Sequence, residues 1–241
     1  MIKPLFTNHK NFAFLYFSVL LIDIIVKVGL PEFPYRFMSK PWLMILLMVY
    51  FFYSKVGHNK KRHGWVYLAL LSFLIGDITI IIHENVNFFL ISILFFSIGK
   101  LFFCAKFSHK KDFEISKLIP FTLAIFVYII LIVAFLFVDV HAFMIPALIA
   151  FFLTLLMLQF AFLRKGVYNT TSFNSVFIGV LLFTISESIM AIKTFKFPLP
   201  FEDVIIMLLY GMSVYFLVFG IINEKEGEQK EAELFSDDTD I

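Results

Sequence analysis

Long apolar runs, separated by short clusters of charge, constrain what this chain can fold into more than any other feature. Eight segments approach the roughly 20 residues that a helix needs to cross a hydrocarbon core. They are residues 11–28, 37–53, 64–82, 86–107, 117–137, 142–163, 172–192 and 201–222. Of 241 residues, 61% are hydrophobic and 16% are charged, whereas about a quarter are charged in soluble proteins. The sequence predicts an all-α membrane bundle of about eight transmembrane helices, with residues 1–222 as its domain.

The lysines and arginines are distributed unequally between the two ends of the predicted helices. Fourteen lie on one side, in the loops and flanks at positions 3, 10, 55, 60, 61, 62, 106, 110, 111, 117, 164, 165, 225 and 230. Five lie on the other side, at positions 27, 36, 40, 193 and 196. Because cytoplasmic loops carry the excess of positive charge, both termini are expected in the cytoplasm. We therefore expect a multi-pass protein of the inner, or cell, membrane.

Three terminal and loop features complete this organisation. The basic start of the chain leads into an apolar run with no small-residue cleavage site after it, which predicts an uncleaved first helix. The basic run 59–63 connects two spans directly, so it is interpreted as a topology determinant and not as a nucleic-acid patch. Residues 223–241 contain eight acids and two lysines. This composition predicts a disordered, solvated cytoplasmic tail.

Few charged residues lie well inside the predicted spans, and each costs about 2.5–3.5 kcal/mol to insert. They are Asp23, Asp77, Lys100 and Glu187. At 1.5 Å per residue, the three acids lie at a similar level, about 20 Å from the inner face. Lys40 approaches the same level from the outer side. The pattern predicts a buried polar site in the outer half of the membrane, although structural ion pairs of Asp23 with Lys27 or Lys40 are an alternative.

Small residues accompany the acids on two of these helices. Ala69, Ser72 and Gly76 have helical spacing beside Asp77, and Gly179 and Ser186 have it on the helix of Glu187. Small residues allow helices to approach closely in membranes. The two stripes are therefore predicted to bring the two acidic helices together.

Four motifs resemble a known family in order and spacing. They are Lys40-Pro41-Trp42-Leu43-Met44, Leu74-Ile75-Gly76-Asp77, Gly179-Val180-Leu181-Leu182-Phe183-Thr184-Ile185-Ser186-Glu187-Ser188 and Phe197-Pro198-Leu199-Pro200. The chain thereby resembles the YhhN-type lysoplasmalogenases, eight-helix membrane hydrolases that cleave the vinyl ether of lysoplasmalogens. It departs from that pattern twice. Glu187 stands where the family has a second aspartate, and Gly99-Lys100-Leu101-Phe102-Phe103 stands where a Gly-His-x-x-Tyr pattern is expected.

The resemblance implies an ether hydrolase, and the carboxyl groups suit that chemistry. A vinyl ether is hydrolysed by rate-limiting protonation at carbon, which requires a general acid and a carboxylate that stabilises the cation. Asp77 and Glu187 are the predicted catalytic pair, with a preference for Glu187 as the acid. Lys40, as the phosphate ligand, Asp23 and Lys100 are the predicted substrate-binding residues. No cofactor and no metal site is predicted.

The expected partners are a lysophospholipid substrate, namely a lysoplasmalogen, and membrane lipids; no nucleic acid is expected. Two other functions remain open at this stage. A cation- or proton-coupled transporter would use the same acidic layer, and a non-catalytic member of the family would bind lipid without cleaving it. The sequence leaves open the head-group preference and whether the chain forms a homodimer.

Overall fold

The computed structural model describes residues 3–54, 62–108, 115–136 and 144–225. Within these ranges 88% of the residues are helical and there are no strands, which confirms the all-α prediction. The helices are α1 (Lys3–Thr7), α2 (His9–Gly29), α3 (Phe37–Ser39), α4 (Pro41–Ser54), α5 (His63–Thr79), α6 (Val86–Phe107), α7 (Ile115–Leu136), α8 (Met144–Phe162), α9 (Thr170–Phe195) and α10 (Glu202–Ile222). A kinked turn, Glu32–Arg36, with extended backbone at Phe33, precedes α3, and a 3₁₀ turn, Ile80–Ile82, extends α5.

Seven candidate spans in the described chain are long and apolar enough to cross a membrane, and α3 with α4 forms one of them. The remaining predicted segment, residues 117–137, corresponds to α7, whose apolar part Ile119–Phe135 is shorter. Large apolar side chains such as Phe14, Ile25 and Leu131 are exposed on the outside of the bundle, as expected where a helix faces lipid. The chain is thus a multi-pass membrane protein, whereas the cytoplasmic position of both termini stays a prediction from charge.

Local sequence explains where several helices begin. The side-chain oxygens of Asn8 and Asn85 accept hydrogen bonds from the backbone N–H two residues later, which caps α2 and α6. Pro41 is the first residue of α4, a position where the missing N–H of proline costs little. The short break between α3 and α4 places the buried Lys40 at the junction.

The helices pack around an aromatic core. The most extensive interface joins α9 and α10, followed by that between α5 and α6. Phe12 of α2 stacks on Tyr50 of α4 with ring centroids 3.7 Å apart. Phe73 of α5 stacks on Phe183 of α9 at 5.5 Å. This last contact joins the two helices that carry Asp77 and Glu187.

The small-residue stripes do not join the two acidic helices, so that prediction is wrong. A Cβ atom added at Gly179 would lie 2.9 Å from the Ser213 carbonyl oxygen of α10. A Cβ added at Gly76 would instead lie 3.2 Å from the ring of Phe96 on α6. Each stripe therefore faces the helix that follows its own in sequence, because short connections place consecutive helices side by side.

The first residues after α10 pack against the bundle. Glu224, which its acidic neighbours assign by sequence to a solvated tail, is only 3% exposed. Its carboxylate pairs with Lys106 at 2.6 Å and with Arg164 at 3.0 Å. Both cations count by sequence as loop residues, yet both are buried. The rest of the predicted tail, residues 226–241, lies outside the described residues.

Candidate functional site

A cavity of about 540 Å³ lies at one end of the bundle, among helices α2, α4, α5, α6, α9 and α10. The charged residues in its wall are Asp23, Lys27, Arg36, Lys40, Asp77, Glu187, Lys193 and Asp203. Its apolar wall includes Leu43, Phe89, Phe96, Phe183 and Met207. A cavity with both kinds of wall inside a membrane bundle suits an amphiphilic ligand.

Asp77 is fully buried in the wall of this cavity and has two partners from other helices. Its Oδ1 lies 3.1 Å from the Nζ atom of Lys40, at the α3–α4 junction. Its Oδ2 accepts a hydrogen bond of 3.0 Å from the hydroxyl of Tyr210 on α10. Asp77 therefore has an ammonium group and a hydroxyl donor against it inside a fully buried site.

Glu187 has partners of the same two kinds but is less deeply buried. Its Oε1 lies 2.5 Å from the Nζ atom of Lys100, and the hydroxyl of Thr154 donates a hydrogen bond to its Oε2. The Glu187 side chain is 17% exposed, whereas that of Asp77 is completely buried. Glu187 is therefore the more accessible of the two carboxyl groups in the cavity.

Lys100 occupies a position behind Glu187. Its ammonium also donates to the carbonyl oxygen of Ala150 at 3.1 Å and lies 5.4 Å from the ring centroid of Phe183. Lys100 is fully buried and is not among the described residues that line the cavity. The residue predicted to bind substrate thus contacts the carboxyl group of Glu187.

Four of the five predicted site residues line the same cavity: Asp23, Lys40, Asp77 and Glu187. The predicted convergence of the acids on the third and seventh spans is therefore present. Both acids also have a lysine partner from another helix, which spacing along their own helices did not reveal.

Asp23 does not form the ion pair that was considered for it. Its Oδ1 accepts a hydrogen bond of 2.6 Å from the hydroxyl of Ser39, and Lys40 pairs with Asp77. Lys27 lies 3.9 Å from Asp203. The second oxygen of Asp23, Oδ2, is buried without a hydrogen-bond partner in the described structure. A structural ion pair with Lys27 or Lys40 therefore does not explain Asp23.

Sequence reasoning missed Arg36 and Tyr210 as site residues. Arg36 counts by sequence as an outer loop cation, yet it is 5% exposed and lines the cavity. Its Nη2 donates to the sulfur of Met207 at 3.2 Å. The spacing of Arg36 four residues before Lys40 could have indicated a shared helical face. Tyr210 gave no comparable signal, because tyrosine is common in membrane helices.

The described residues contain no evident set of metal ligands. Among the described residues, no group of three or more histidine, cysteine, aspartate or glutamate side chains could hold a metal ion. The polar groups of the cavity wall are carboxyl, ammonium, guanidinium and hydroxyl groups and the imidazole of His83.

The fold and the cavity define a polytopic α-helical membrane protein with a buried charged site. The YhhN family model matches residues 35–221, and the chain belongs to the YhhN family. The matched region includes Lys40, Asp77 and Glu187. No curated protein and no solved structure matched the chain.

Proposed function

We propose that this chain is a lysoplasmalogenase-like hydrolase that cleaves the vinyl ether bond of lysoplasmalogens. The products are a fatty aldehyde and a glycerophospho head group. The observation that carries the proposal is the presence of two carboxyl groups, Asp77 and Glu187, in one cavity of mixed polarity within the bundle. Membership of the YhhN family supports this class of reaction.

The reaction adds one water molecule to the vinyl ether, and no residue of the protein is oxidised or reduced. A proton is transferred to the carbon β to the ether oxygen, and the double-bond electrons form the new C–H bond. The resulting oxocarbenium ion takes up water, which loses a proton and leaves a hemiacetal. The hemiacetal transfers its hydroxyl proton to the ether oxygen and breaks the C–O bond. The proton taken up in the first step is returned when water adds.

The two carboxyl groups are proposed to take different roles because their accessibility differs. Glu187 is the proposed general acid, since it is the more accessible of the two to a substrate carbon. For Glu187 to act as the acid, the Lys100 ammonium, 2.5 Å away, first transfers a proton to its carboxylate, which leaves a neutral amine beside a protonated carboxyl group. Asp77, held by Lys40 and Tyr210, is the proposed carboxylate that stabilises the cation. Tyr210 thereby acts as a positioning residue.

The substrate is proposed to lie with its alkenyl chain along the aromatic wall and its head group towards the charged wall. Phe89, Phe96 and Phe183 provide apolar surface. Lys40 keeps its predicted role as a phosphate ligand, because an ammonium group has three donors and Asp77 occupies one side of it.

Substitution of each acid by its amide tests the proposal. Asp77→Asn and Glu187→Gln are each expected to reduce aldehyde release from lysoplasmalogen in detergent by about 100-fold or more. Asp203→Asn removes a carboxylate from the same cavity wall without touching the proposed acid pair, and is expected to have the smaller effect. Size-exclusion profiles check that each variant remains folded. Full turnover by both amide variants would contradict the proposed roles.

Two comparisons separate the proposal from the other functions considered for this chain. Purified protein is assayed side by side with a lysoplasmalogen and with the corresponding ester lysophospholipid, and cleavage of the vinyl ether alone is expected. Lipid binding without turnover would instead indicate a non-catalytic member of the family. Ion flux in proteoliposomes without cleavage would indicate a transporter.

A further inference from the structure

Two buried groups of opposite charge lack partners in the cavity wall. The Oδ2 atom of Asp23 and the Nη1 atom of Arg36 have no hydrogen-bond partner among the residues that the structure describes. Asp23 is 0% exposed and Arg36 is 5% exposed. Leaving a buried charged group unsatisfied is costly, so such atoms require an explanation. Because both residues line the cavity, a ligand bound there could satisfy both.

The charges around these two groups indicate what kind of ligand that would be. Among the described residues, four basic and four acidic side chains line the cavity. Most of them are already paired: Lys40 with Asp77, Lys193 with Asp203, and Glu187 with Lys100 behind it. Lys27 also lies 3.9 Å from Asp203, and Asp77 Oδ1, which makes no hydrogen bond, faces the Lys40 ammonium at 3.1 Å. Among the described residues of the wall, this leaves one carboxylate oxygen, on Asp23, and one guanidinium nitrogen, on Arg36. A net-neutral ligand that carries both an anion and a cation would complement this wall.

The two unsatisfied groups lie against the same turn before α4 but do not pair with each other. Ser39 in this turn contacts Asp23, and the carbonyl oxygen of Arg36 accepts a hydrogen bond of 3.1 Å from the N–H of Lys40. Asp23 is held by the hydroxyl of Ser39, and Arg36 by the thioether of Met207. A single small head group could therefore contact both.

We infer that Arg36 and Asp23 form a subsite for a zwitterionic head group, in which Arg36 binds the phosphate and Asp23 binds a primary ammonium. The inference deepens the proposed function, on which it rests, by assigning the head group of the lysophospholipid. It places Arg36 beside Lys40 as a phosphate ligand, which sequence reasoning did not do.

Arginine is well suited to the phosphate end of this subsite. Its planar guanidinium presents paired N–H donors that match two phosphate oxygens. Among the described residues, the hydrogen-bond partner of the Arg36 side chain is a thioether sulfur, which is a weak acceptor. The guanidinium is therefore buried and held in place while keeping donors available for an anion.

The carboxylate end of the subsite distinguishes between kinds of ammonium. Oδ2 of Asp23 is an acceptor that needs an N–H donor. A primary ammonium, as in an ethanolamine head group, supplies one, whereas the quaternary ammonium of a choline head group has none. The subsite is therefore expected to prefer ethanolamine over choline by roughly tenfold to a hundredfold, the range expected for one hydrogen bond to a charged group.

Binding of ligands that cannot be hydrolysed tests the subsite independently of catalysis. The probes are saturated 1-alkyl lysophosphatidylethanolamine, its choline counterpart and a 1-alkylglycerol without phosphate, titrated calorimetrically into detergent-solubilised protein. Wild-type protein should bind the ethanolamine lipid most tightly. Asp23→Asn should remove the preference for ethanolamine over choline. Arg36→Gln should weaken both phospholipids equally by about tenfold or more and leave the alkylglycerol unchanged.

Control variants show that these effects belong to the two residues and not to the fold or to overall charge. Asp203→Asn removes the same charge from an already paired position and should keep the ethanolamine preference. Arg36→Lys should retain more phospholipid affinity than Arg36→Gln. Thermal unfolding in detergent identifies any variant that has lost its fold, and the isosteric Asp23→Asn then provides the deciding comparison.

The outcomes distinguish failure of the subsite from failure of the proposed function. Equal affinity of wild-type protein for the two phospholipids, or an unchanged preference in Asp23→Asn, would overturn the subsite even if the vinyl ether is cleaved. The expected pattern of binding without any cleavage would support the subsite and overturn the hydrolase. Both the subsite and the hydrolase would be supported if the protein cleaves lysoplasmalogens with the same ethanolamine preference in kcat/KM and if Asp23→Asn removes that preference.

Discussion

The side chains of Lys100 and Glu187 occupy the two positions at which the chain departs from the pattern that its family resemblance implies. Their charged atoms lie 2.5 Å apart. Where the pattern has aspartate, glutamate is longer by one methylene group, and lysine replaces the expected histidine. Because the two residues contact each other across α6 and α9, the two departures form one coupled change and not two separate defects.

A double-mutant cycle at these positions tests the coupling. Glu187→Asp shortens the acid and leaves the buried Lys100 without its partner, so this single change is expected to impair both stability and aldehyde release. Lys100→His alone should do the same by removing the cation from Glu187. The double variant should recover part of both losses, with a coupling energy of about 1–3 kcal/mol. Thermal unfolding and kcat/KM for lysoplasmalogen are measured for all four proteins, and strictly additive effects would contradict the coupling.

The level of each charged residue along its helix could be predicted from the sequence, but its partner could not. Counting residues from the helix ends placed Asp23, Asp77 and Glu187 in one layer, and all three line one cavity. Which neighbour each acid faces depends on how helices are rotated and ordered in the bundle. Lys40 therefore pairs with Asp77 and not with Asp23. Single-sequence spacing does not contain that information.

At the scale of elements, the close approach of α9 and α10 determines where the cavity-lining face of α9 points. Gly179 and Gly220 lie in this interface, and each faces backbone atoms of the other helix. Ser186 of α9 also donates a hydrogen bond to the carbonyl oxygen of Ile206 on α10 at 2.9 Å. Glu187 follows Ser186 directly, so the interface fixes the orientation of the acid.

Adding a methyl group at either interface glycine is expected to separate the two helices. A Cβ at Gly220 would lie 2.9 Å from the Val176 backbone nitrogen, and one at Gly179 would lie 3.0 Å from that of Leu217. Backbone atoms cannot move aside as flexible side chains can. Gly179→Ala and Gly220→Ala should each cost about 1–3 kcal/mol of stability, measured as a lower unfolding temperature in detergent.

Gly64 provides the matched control for this experiment. It lies in α5, and a Cβ added there would meet nothing within 4 Å. Gly64→Ala is therefore expected to leave stability unchanged or to raise it slightly, because alanine is the better helix former. An equal loss of stability in all three variants would show that the α9–α10 contact is not the cause.

The helices themselves were readily predicted because an apolar run of membrane-spanning length has few alternatives to a helix. Less predictable was which helices pair. The stripes containing Gly76 and Gly179 indicated close packing correctly, but α5 packs on α6 and α9 packs on α10. Small residues reveal that a close neighbour exists without identifying it.

At the scale of the whole molecule, two buried polar clusters lie at opposite ends of the bundle. The cavity occupies the end that contains the start of α6 and the start of α10. Lys106, Arg164 and Glu224 form the second cluster, at the other end of the same helices. Composition assigned Glu224 to a solvated tail, because its acidic neighbours outweighed the signal of a single residue. The cluster connects the segment after α10 to α6 and to the end of α8.

Glu224 is the only acid in this second cluster, among the described residues, and it faces two buried cations. Lys106 and Arg164 are each 1% exposed, so Glu224→Gln would leave both without a countercharge. Loss of one partner from a buried ion pair costs about 3–5 kcal/mol, and we expect a marked fall in the unfolding temperature in detergent.

Glu84→Gln, at an exposed glutamate, should change stability by no more than about 0.5 kcal/mol. If Glu224→Gln unfolds at the temperature of the Glu84→Gln control, the cluster does not hold the segment after α10 against α6 and the end of α8. If Glu224→Gln does unfold at a lower temperature, its cleavage of lysoplasmalogen, measured well below that temperature, should stay near that of the wild-type protein. The reason is that the length of the bundle separates the cluster from the cavity.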